Sequence, residues 1–441
     1  MTDIADRLEE LRAAGLYRRL RLVSGPQGPR VLLDGREVLL LCSNNYLGLA
    51  DHPSVRRAAA EAAMRWGTGA GASRLICGNM TLHRRLEERI AVFHETESAL
   101  LFGSGYLANT GTIAALTQAG EVVFSDELNH ASIVDGCRLS RAEKFVYHHR
   151  DTEHLAWGLQ RAEGRGSLIA TDGLFSMDGD VAPIAELVEL ARRYDCRLLV
   201  DEAHATGAIG PDGRGSVAES GLDEQVDIVV GTLGKALGSY GAYVCASREI
   251  TELLVNAARP FIFSTALPPS TVAAAMAALN LIVSRPERAD RLRRNADLLR
   301  RELAAAGLDP GGSRTQIVPL VVGDADTSVA LCERALERGV FAQAIRPPTV
   351  PEGTSRLRLT VMATHREAEL RHAANIIGTA ARDLGLAHEA REWEWEEPLP
   401  RAPSPADRVP AKTPRAPAVG APSLASQMPP GPLSIDLDEA A

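Results

Sequence analysis

Val226-Asp227-Ile228-Val229-Val230-Gly231-Thr232-Leu233-Gly234-Lys235-Ala236-Leu237-Gly238 is the stretch that decides how this chain is read. A short β-branched run ends in a glycine-rich turn, and one lysine stands in that turn. On α/β scaffolds, strand ends are where reactive groups are displayed. Desolvation there lowers a lysine's pKa and exposes its amine lone pair, which suits Schiff-base chemistry. A Walker phosphate loop would need glycine five positions before Gly234 and Ser or Thr after the lysine. Val229 and Ala236 stand at those positions, which excludes it. The ordinary alternative is a turn lysine facing water, and the segment upstream weighs against that.

Arg197-Leu198-Leu199-Val200-Asp201-Glu202-Ala203-His204-Ala205-Thr206-Gly207 reads as a second apolar strand, ending on Asp201 with His204 three residues on. A carboxylate at the end of a buried strand is costly unless it meets a cation or several donors. Alone, Asp201 would read as a helix N-cap. Paired with Lys235 it suggests something more specific. Pyridoxal phosphate needs a lysine for its aldehyde and an acidic partner for its ring nitrogen. Asp201 would keep that nitrogen protonated, and His204 would donate to the ring's phenolic oxygen.

On these residues the chain resembles the α-oxoamine synthases, a family of fold-type I pyridoxal-phosphate enzymes. The resemblance runs from about Leu16 to about Gly385. It is carried by Ser43-Asn44-Asn45-Tyr46-Leu47-Gly48-Leu49, Phe102-Gly103-Ser104-Gly105-Tyr106, Asn129-His130-Ala131-Ser132, Phe175-Ser176-Met177-Asp178-Gly179-Asp180, Asp201-Glu202-Ala203-His204, Thr232-Leu233-Gly234-Lys235 and Phe263-Ser264-Thr265. It implies an α/β architecture of the aspartate aminotransferase type. A mostly parallel central sheet would be joined by a smaller C-terminal α+β subdomain.

The resemblance also implies roles. Lys235, Asp201 and His130 would be catalytic, with His130 stacking on the pyridine ring and facing the substrate. Gly105 and Tyr106 would lie beside the phosphate, and Ser176 and Thr232 would place hydroxyls near the cofactor. Ser264 and Thr265 would reach the phosphate from the neighbouring subunit, which implies a homodimer with shared active sites. Ordinary turn and capping work is the alternative for these hydroxyls. Thr349, in Ala344-Ile345-Arg346-Pro347-Pro348-Thr349-Val350-Pro351, would lie by the acyl substrate. Arg358 would clamp the amino-acid carboxylate, since arginine suits a planar bidentate contact. Arg356 shares its strand face by period, so the choice between them stays open. Arg18, in Tyr17-Arg18-Arg19-Leu20-Arg21, matches a substrate-contacting arginine, with Arg19 and Arg21 as alternatives. His148, His149 and His154 read as solvated loop histidines. Asp172 stands where the family has a glutamate, one methylene longer, which leaves that residue's contact in question.

The implied activity is a decarboxylative condensation of an amino acid with an acyl thioester. The most similar branch joins L-alanine to a pimeloyl group, carried by CoA or a carrier protein, in biotin biosynthesis. Other branches take glycine or serine with acetyl-, succinyl- or palmitoyl-CoA. Two readings come from other classes. Gly103-Ser104-Gly105-Tyr106-Leu107-Ala108, with Asp126 after the next strand, fits the glycine pattern of a nicotinamide-dependent oxidoreductase. That reading leaves the Asp201/Lys235 pair without a role. An inactive scaffold would leave the lysine, the aspartate and both histidines unexplained.

Composition sets the bounds. With 441 residues the chain can bury a large core and divide into more than one subdomain. A net charge of −9 argues against broad nucleic-acid binding. Six cysteines, at 42, 77, 137, 196, 245 and 332, form no C-x-x-C pair and show no metal spacing. They suit reduced thiols in a cytoplasmic protein. The acidic N-terminus is unlike a signal peptide, and no apolar run is long enough to span a membrane. No metal site is expected.

Along the chain, Ile4, Leu8 and Leu11 predict an opening amphipathic helix, and Val31 to Leu41 a hairpin turning at Asp34-Gly35. Residues 1–53 would form this arm. A large cofactor-binding domain would span 54–285, with helices at Ser54–Trp66, Thr81–Phe93 and Ile184–Tyr194. Its buried strands would be Glu121–Phe124, Ser167–Thr171, Leu198–Val200 and Ile228–Val230. A smaller subdomain would span 286–388, opening on a charged helix from Pro286 to Ala306. It would carry strands near Gln316–Val322 and Arg356–Val361 and a helix near His365–Leu384. Eleven of the 25 prolines fall between Pro398 and Pro432, so 389–441 reads as a disordered tail, with Trp393 and Trp395 docking weakly on the body.

Overall fold

Leu198, Leu199, Val200, Ile228 and Val230 are wholly shielded from solvent. Such unbroken apolar runs mark strands covered on both faces. In the computed structural model, which describes residues 3–13 and 16–387, they are the middle of a seven-stranded sheet. Its strands are β1 (Ser98–Phe102), β2 (Val122–Asp126), β3 (Glu143–Tyr147), β4 (Gly166–Asp172), β5 (Arg197–Asp201), β6 (Ile228–Thr232) and β7 (Ala242–Ala246). The spatial order is β1-β7-β6-β5-β4-β2-β3. The run from β6 to β3 is parallel, and β7 lies antiparallel between β1 and β6. The helices Gly105–Leu116, Ala131–Leu139 and Arg248–Ala257 pack Ala108, Ile113, Ile133 and Leu254 onto one face.

The predicted elements lie close to the observed ones. The hairpin pairs Arg30–Leu33 with Arg36–Leu40, and both turn residues take positive φ, Asp34 at 49° and Gly35 at 82°. That is the backbone a two-residue hairpin turn demands. Its second strand also pairs in parallel with Val340–Phe341. A separate antiparallel sheet has the order Ile317–Gly323, Ser355–Thr360, Gln343–Ile345. Helices Glu287–Ala305 and Glu367–Arg382 flank it in sequence. The opening helix, Ile4–Ala13, is present, but Ile4, Leu8 and Leu11 stay exposed. The Pro-rich tail, Trp393 and Trp395 lie outside the described residues.

Parallel strands bring their carboxyl ends to one edge. Asp172 ends β4, Asp201 ends β5 directly opposite it, and Thr232 ends β6. All six cysteines are free, and no helix among the described residues is long and apolar enough to cross a membrane.

Candidate active site

Lys235 sits in the turn after β6. Thr232 builds the base of that turn: its Oγ1 donates to the Gly241 carbonyl at 3.1 Å and accepts from the Gly234 amide at 3.2 Å. Gly238 closes it at φ +61°, where a Cβ would lie 2.3 Å from the Ala50 amide nitrogen. Only glycine fits so close a crossing. Among the described residues, the Lys235 amine makes no hydrogen bond or ion pair. Burial lowers its pKa to about 8; Asp201 and Asp172 oppose the shift, and Arg358 adds to it.

Asp201 is buried and has both oxygens engaged. Oδ2 accepts from Asn109 Nδ2 at 2.6 Å, and Oδ1 accepts from the Ala203 amide at 2.8 Å. No helix starts directly after Asp201, so the helix N-cap expected of an isolated aspartate is not what it makes; its bond to the Ala203 amide closes a local turn. His204 is buried and shares a 2.6 Å hydrogen bond between Nδ1 and the Tyr46 hydroxyl. Burial, then the charges of Lys235 and Arg358, hold His204 well below its ordinary pKa.

The two arginines of strand 355–360 part company. Arg358 donates to the Ser176 carbonyl, to Asn44 Oδ1 at 3.2 Å and to the Tyr46 hydroxyl at 3.3 Å. Arg356 pairs with Asp178 and donates to the Thr354 carbonyl. Arg358 thus joins the Tyr46–His204 pair, while Arg356 is spent on a neighbouring loop.

His130 caps the 131–139 helix, its Nδ1 accepting from the Ser132 amide at 3.2 Å. Asp172 Oδ2 accepts from the His130 amide at 2.6 Å, so the shorter acid finds a backbone partner. Burial, then repulsion from Asp201, pushes the Asp172 carboxyl well above its usual range. Loss of water around the His130 ring lowers its pKa; Asp201 opposes this, and Lys235 adds to it.

The 105–116 helix starts with backbone amides that no group among the described residues covers. Ser104 caps the Leu107 amide, and the amides of Gly105 and Tyr106 have no intrahelical acceptor. A Cβ on Gly105 would meet no heavy atom within 4 Å. The Tyr106 phenol turns away to Asp135.

Four expected residues make no bond within this cluster, and a fifth, Ser176, joins it only through its backbone. Arg18 is exposed and has no bond to any site residue, whereas Arg21 pairs with Glu333 and Asp34. Thr349 is exposed in a loop where its amide donates to the Arg346 carbonyl. Ser264 and Thr265 line a small cleft with Arg74 and Gly103, and Thr265 bridges to Ser73. Ser176 offers its carbonyl to Arg358, with no bond from its hydroxyl.

The donor set fits pyridoxal phosphate. Lys235 supplies an unpaired amine for the aldehyde, Asp201 an acid for the ring nitrogen, and the open helix start an anion site. A family model described as aminotransferase class I and II matches residues 36–377. The 8-amino-7-oxononanoate synthase of Geobacter sulfurreducens is 56% identical over 387 residues, covering 87% of this chain and 99% of its own. That of Citrifermentans bemidjiense is 54% identical, covering 88% and 100%. A serine palmitoyltransferase solved with pyridoxal phosphate as its internal aldimine is 33% identical, with a TM-score of 0.83, covering 87% of this chain and 98% of its own.

The chain belongs to the α-oxoamine synthase family.

In this α-oxoamine synthase two features escape a reading of the sequence. Asn109 reaches Asp201 only because the 105–116 helix packs on the central sheet, and nothing local announces that. His149 is the second, and here the expectation of a solvated histidine fails. Its Nδ1 meets Asp126 at 2.9 Å, its Nε2 meets Asp180 at 2.7 Å, and its ring stands edge-on to Phe175. The acids at two strand and loop ends were the available signal. The same contacts remove the ribose-binding role weighed for Asp126. Its oxygens are taken by His149 and the amides of Leu128 and Arg150.

Proposed function

We propose that this α-oxoamine synthase forms 8-amino-7-oxononanoate. It joins L-alanine to the pimeloyl group of pimeloyl-CoA or a pimeloyl-carrier protein and releases thiol and carbon dioxide, a step of biotin biosynthesis. The observation that carries the chemistry is the half-buried, unbonded Lys235 amine under the influence of Asp201. The identity to 8-amino-7-oxononanoate synthases along nearly their whole length supports the choice of substrates.

Pyridoxal phosphate, when bound, supplies an electron-withdrawing ring that acidifies the substrate α-carbon. Lys235 would hold its aldehyde carbon and Asp201 the proton of its ring nitrogen. His204, steadied by Tyr46, would face the phenolic oxygen. The amides of Gly105 and Tyr106 would hold the phosphate, with Thr232 and Ser176 nearby. Ser264 and Thr265 would complete that site from a second protomer.

Arg358 binds the alanine carboxylate in the manner suited to a planar guanidinium. That contact would orient the substrate's α-hydrogen for Lys235. An amine with a pKa of about 8 is neutral in about one molecule in ten at pH 7, far more often than an ordinary lysine, so it can take the α-proton and later return it. His130 would cover one face of the cofactor ring and contact the substrate. Thr349 is assigned to the acyl substrate and Arg18 to substrate contact. The same reading takes 1–53 as an arm, 54–285 as the cofactor domain and 286–388 as a smaller subdomain of a cytoplasmic homodimer.

The test is a matrix of alanine, glycine and serine against acetyl-, succinyl-, pimeloyl- and palmitoyl-CoA, scored by thiol release. Alanine with pimeloyl-CoA should turn over fastest. A preference for glycine with a short acyl group, or serine with palmitoyl-CoA, would overturn the assignment.

A further inference from the structure

Four polar side chains run in line through the buried part of the site. Asp201 Oδ2 lies 2.6 Å from Asn109 Nδ2, which lies 2.9 Å from Ser132 Oγ. Ser132 Oγ lies 2.7 Å from His130 Nδ1. Asn109 and Ser132 are fully buried.

We propose that Asn109 and Ser132 are positioning residues that lock His130 as the neutral tautomer with its hydrogen on Nε2. The direction of each bond follows from what each group can do. A carboxylate accepts, so Asn109 must turn its NH2 toward Asp201. The flipped amide would set Oδ1 against the carboxylate oxygen. The second amide hydrogen goes to Ser132 Oγ, so that hydroxyl accepts there and sends its own hydrogen on to His130 Nδ1. The Ser132 backbone amide ends on the same nitrogen at 3.2 Å. A ring nitrogen that receives two donors carries no hydrogen of its own.

One detail shows that the arrangement is imposed. Asn109 Oδ1 is buried without a partner. An unsatisfied buried carbonyl is a real penalty, tolerated when the other bonds of a network outweigh it. The amide keeps its orientation because both hydrogens are committed. The ionisable groups around His130 are Asp201, Lys235 and His204, together with Asp172 at its backbone amide. With Nδ1 committed, the open edge of the ring can only donate. His130 therefore meets an oxygen of the substrate as a neutral N–H donor, and adds no second cation beside Lys235. That last use rests on the proposed reaction; the tautomer does not.

The experiment is long-range 15N–1H spectroscopy of the histidine-labelled holoenzyme, with His130→Gln to assign the ring. The expected spectrum at neutral pH shows a bare Nδ1 and a protonated Nε2. Ser132→Ala removes a donor that favours the neutral ring, so the His130 midpoint should rise by on the order of one pH unit. The acid limb of kcat/KM for alanine should move with it, and Ser132→Thr should restore both. A wild-type ring protonated on Nδ1, or an unshifted midpoint in Ser132→Ala, would overturn the proposal. Asn109→Ala should move the midpoint the same way. Should Asn109→Ala fail to fold, the serine pair decides alone. A correct tautomer in an enzyme that rejects alanine and pimeloyl-CoA would refute the reaction and leave the lock standing.

Discussion

Tyr46 and His204 are bonded at 2.6 Å although 158 positions separate them. The phenol also receives a hydrogen from Arg358. One buried oxygen thereby joins the N-terminal segment, the central sheet and the C-terminal sheet. Tyr46→Phe should leave both partners short of a bond, at a cost of about 1–3 kcal/mol in chemical unfolding. Turnover should fall at the same time. An unchanged unfolding midpoint and KM would show that the phenol only fills space.

Lys235→Ala should abolish the visible absorbance of the bound cofactor and lower turnover by about 100-fold or more. The far-ultraviolet circular dichroism should be unaltered. Lys235→Met should also stabilise the cofactor-free protein. Burial depresses this lysine from 10.5 to about 8, so the fold bears a charge penalty below pH 8 that fades as pH climbs toward 10.5. The gain, on the order of 1–3 kcal/mol at pH 7, should shrink across that window. Equal stability of the two proteins at pH 7 would contradict the depressed value.

Arg358→Lys should raise the KM for alanine by roughly 10- to 100-fold, the range for loss of a charged hydrogen bond. Arg356→Lys should barely change it, because Arg356 is committed to Asp178. Steady-state kinetics on the two variants decide the question, and the reverse ranking would exchange their roles.

His149 gives the fold a pH signature. Burial works against its charge, but hydrogen bonds to Asp126 and Asp180 and their charges prevail and push its pKa up to about 9. A histidine raised in the folded state contributes fully below its ordinary pKa of about 6.5 and loses that contribution as pH rises through 9. His149→Gln should therefore flatten the stability profile between about pH 6.5 and 9. Its loss below pH 6.5 should be about 1–3 kcal/mol. Parallel profiles for the two proteins would show that His149 is not charged in the fold.

Much of this was legible in the sequence because strand ends and glycine turns are local signals. Lys235, Asp201 and the hairpin turn at Asp34-Gly35 each announce themselves within a few residues. The antiparallel setting of β7 did not, since Ala242–Ala246 is buried on both faces and carries no period that reveals direction. Asn109 was equally silent. Its helix is apolar nearly all round, so no stripe singles out the residue that meets Asp201. The parting of Arg356 from Arg358 depended on loop 176–178, whose position comes from tertiary packing.

The hairpin strand 36–40 has a consequence for biosynthesis. It finishes its pairing on Val340–Phe341, and the Leu40 carbonyl meets His365, 325 positions downstream. At about 5–20 residues per second, a ribosome needs roughly 15 s to a minute to deliver that partner. Through that interval the nascent arm must wait with Val38, Leu39 and Leu40 uncovered, the state in which chaperones bind and neighbouring chains aggregate.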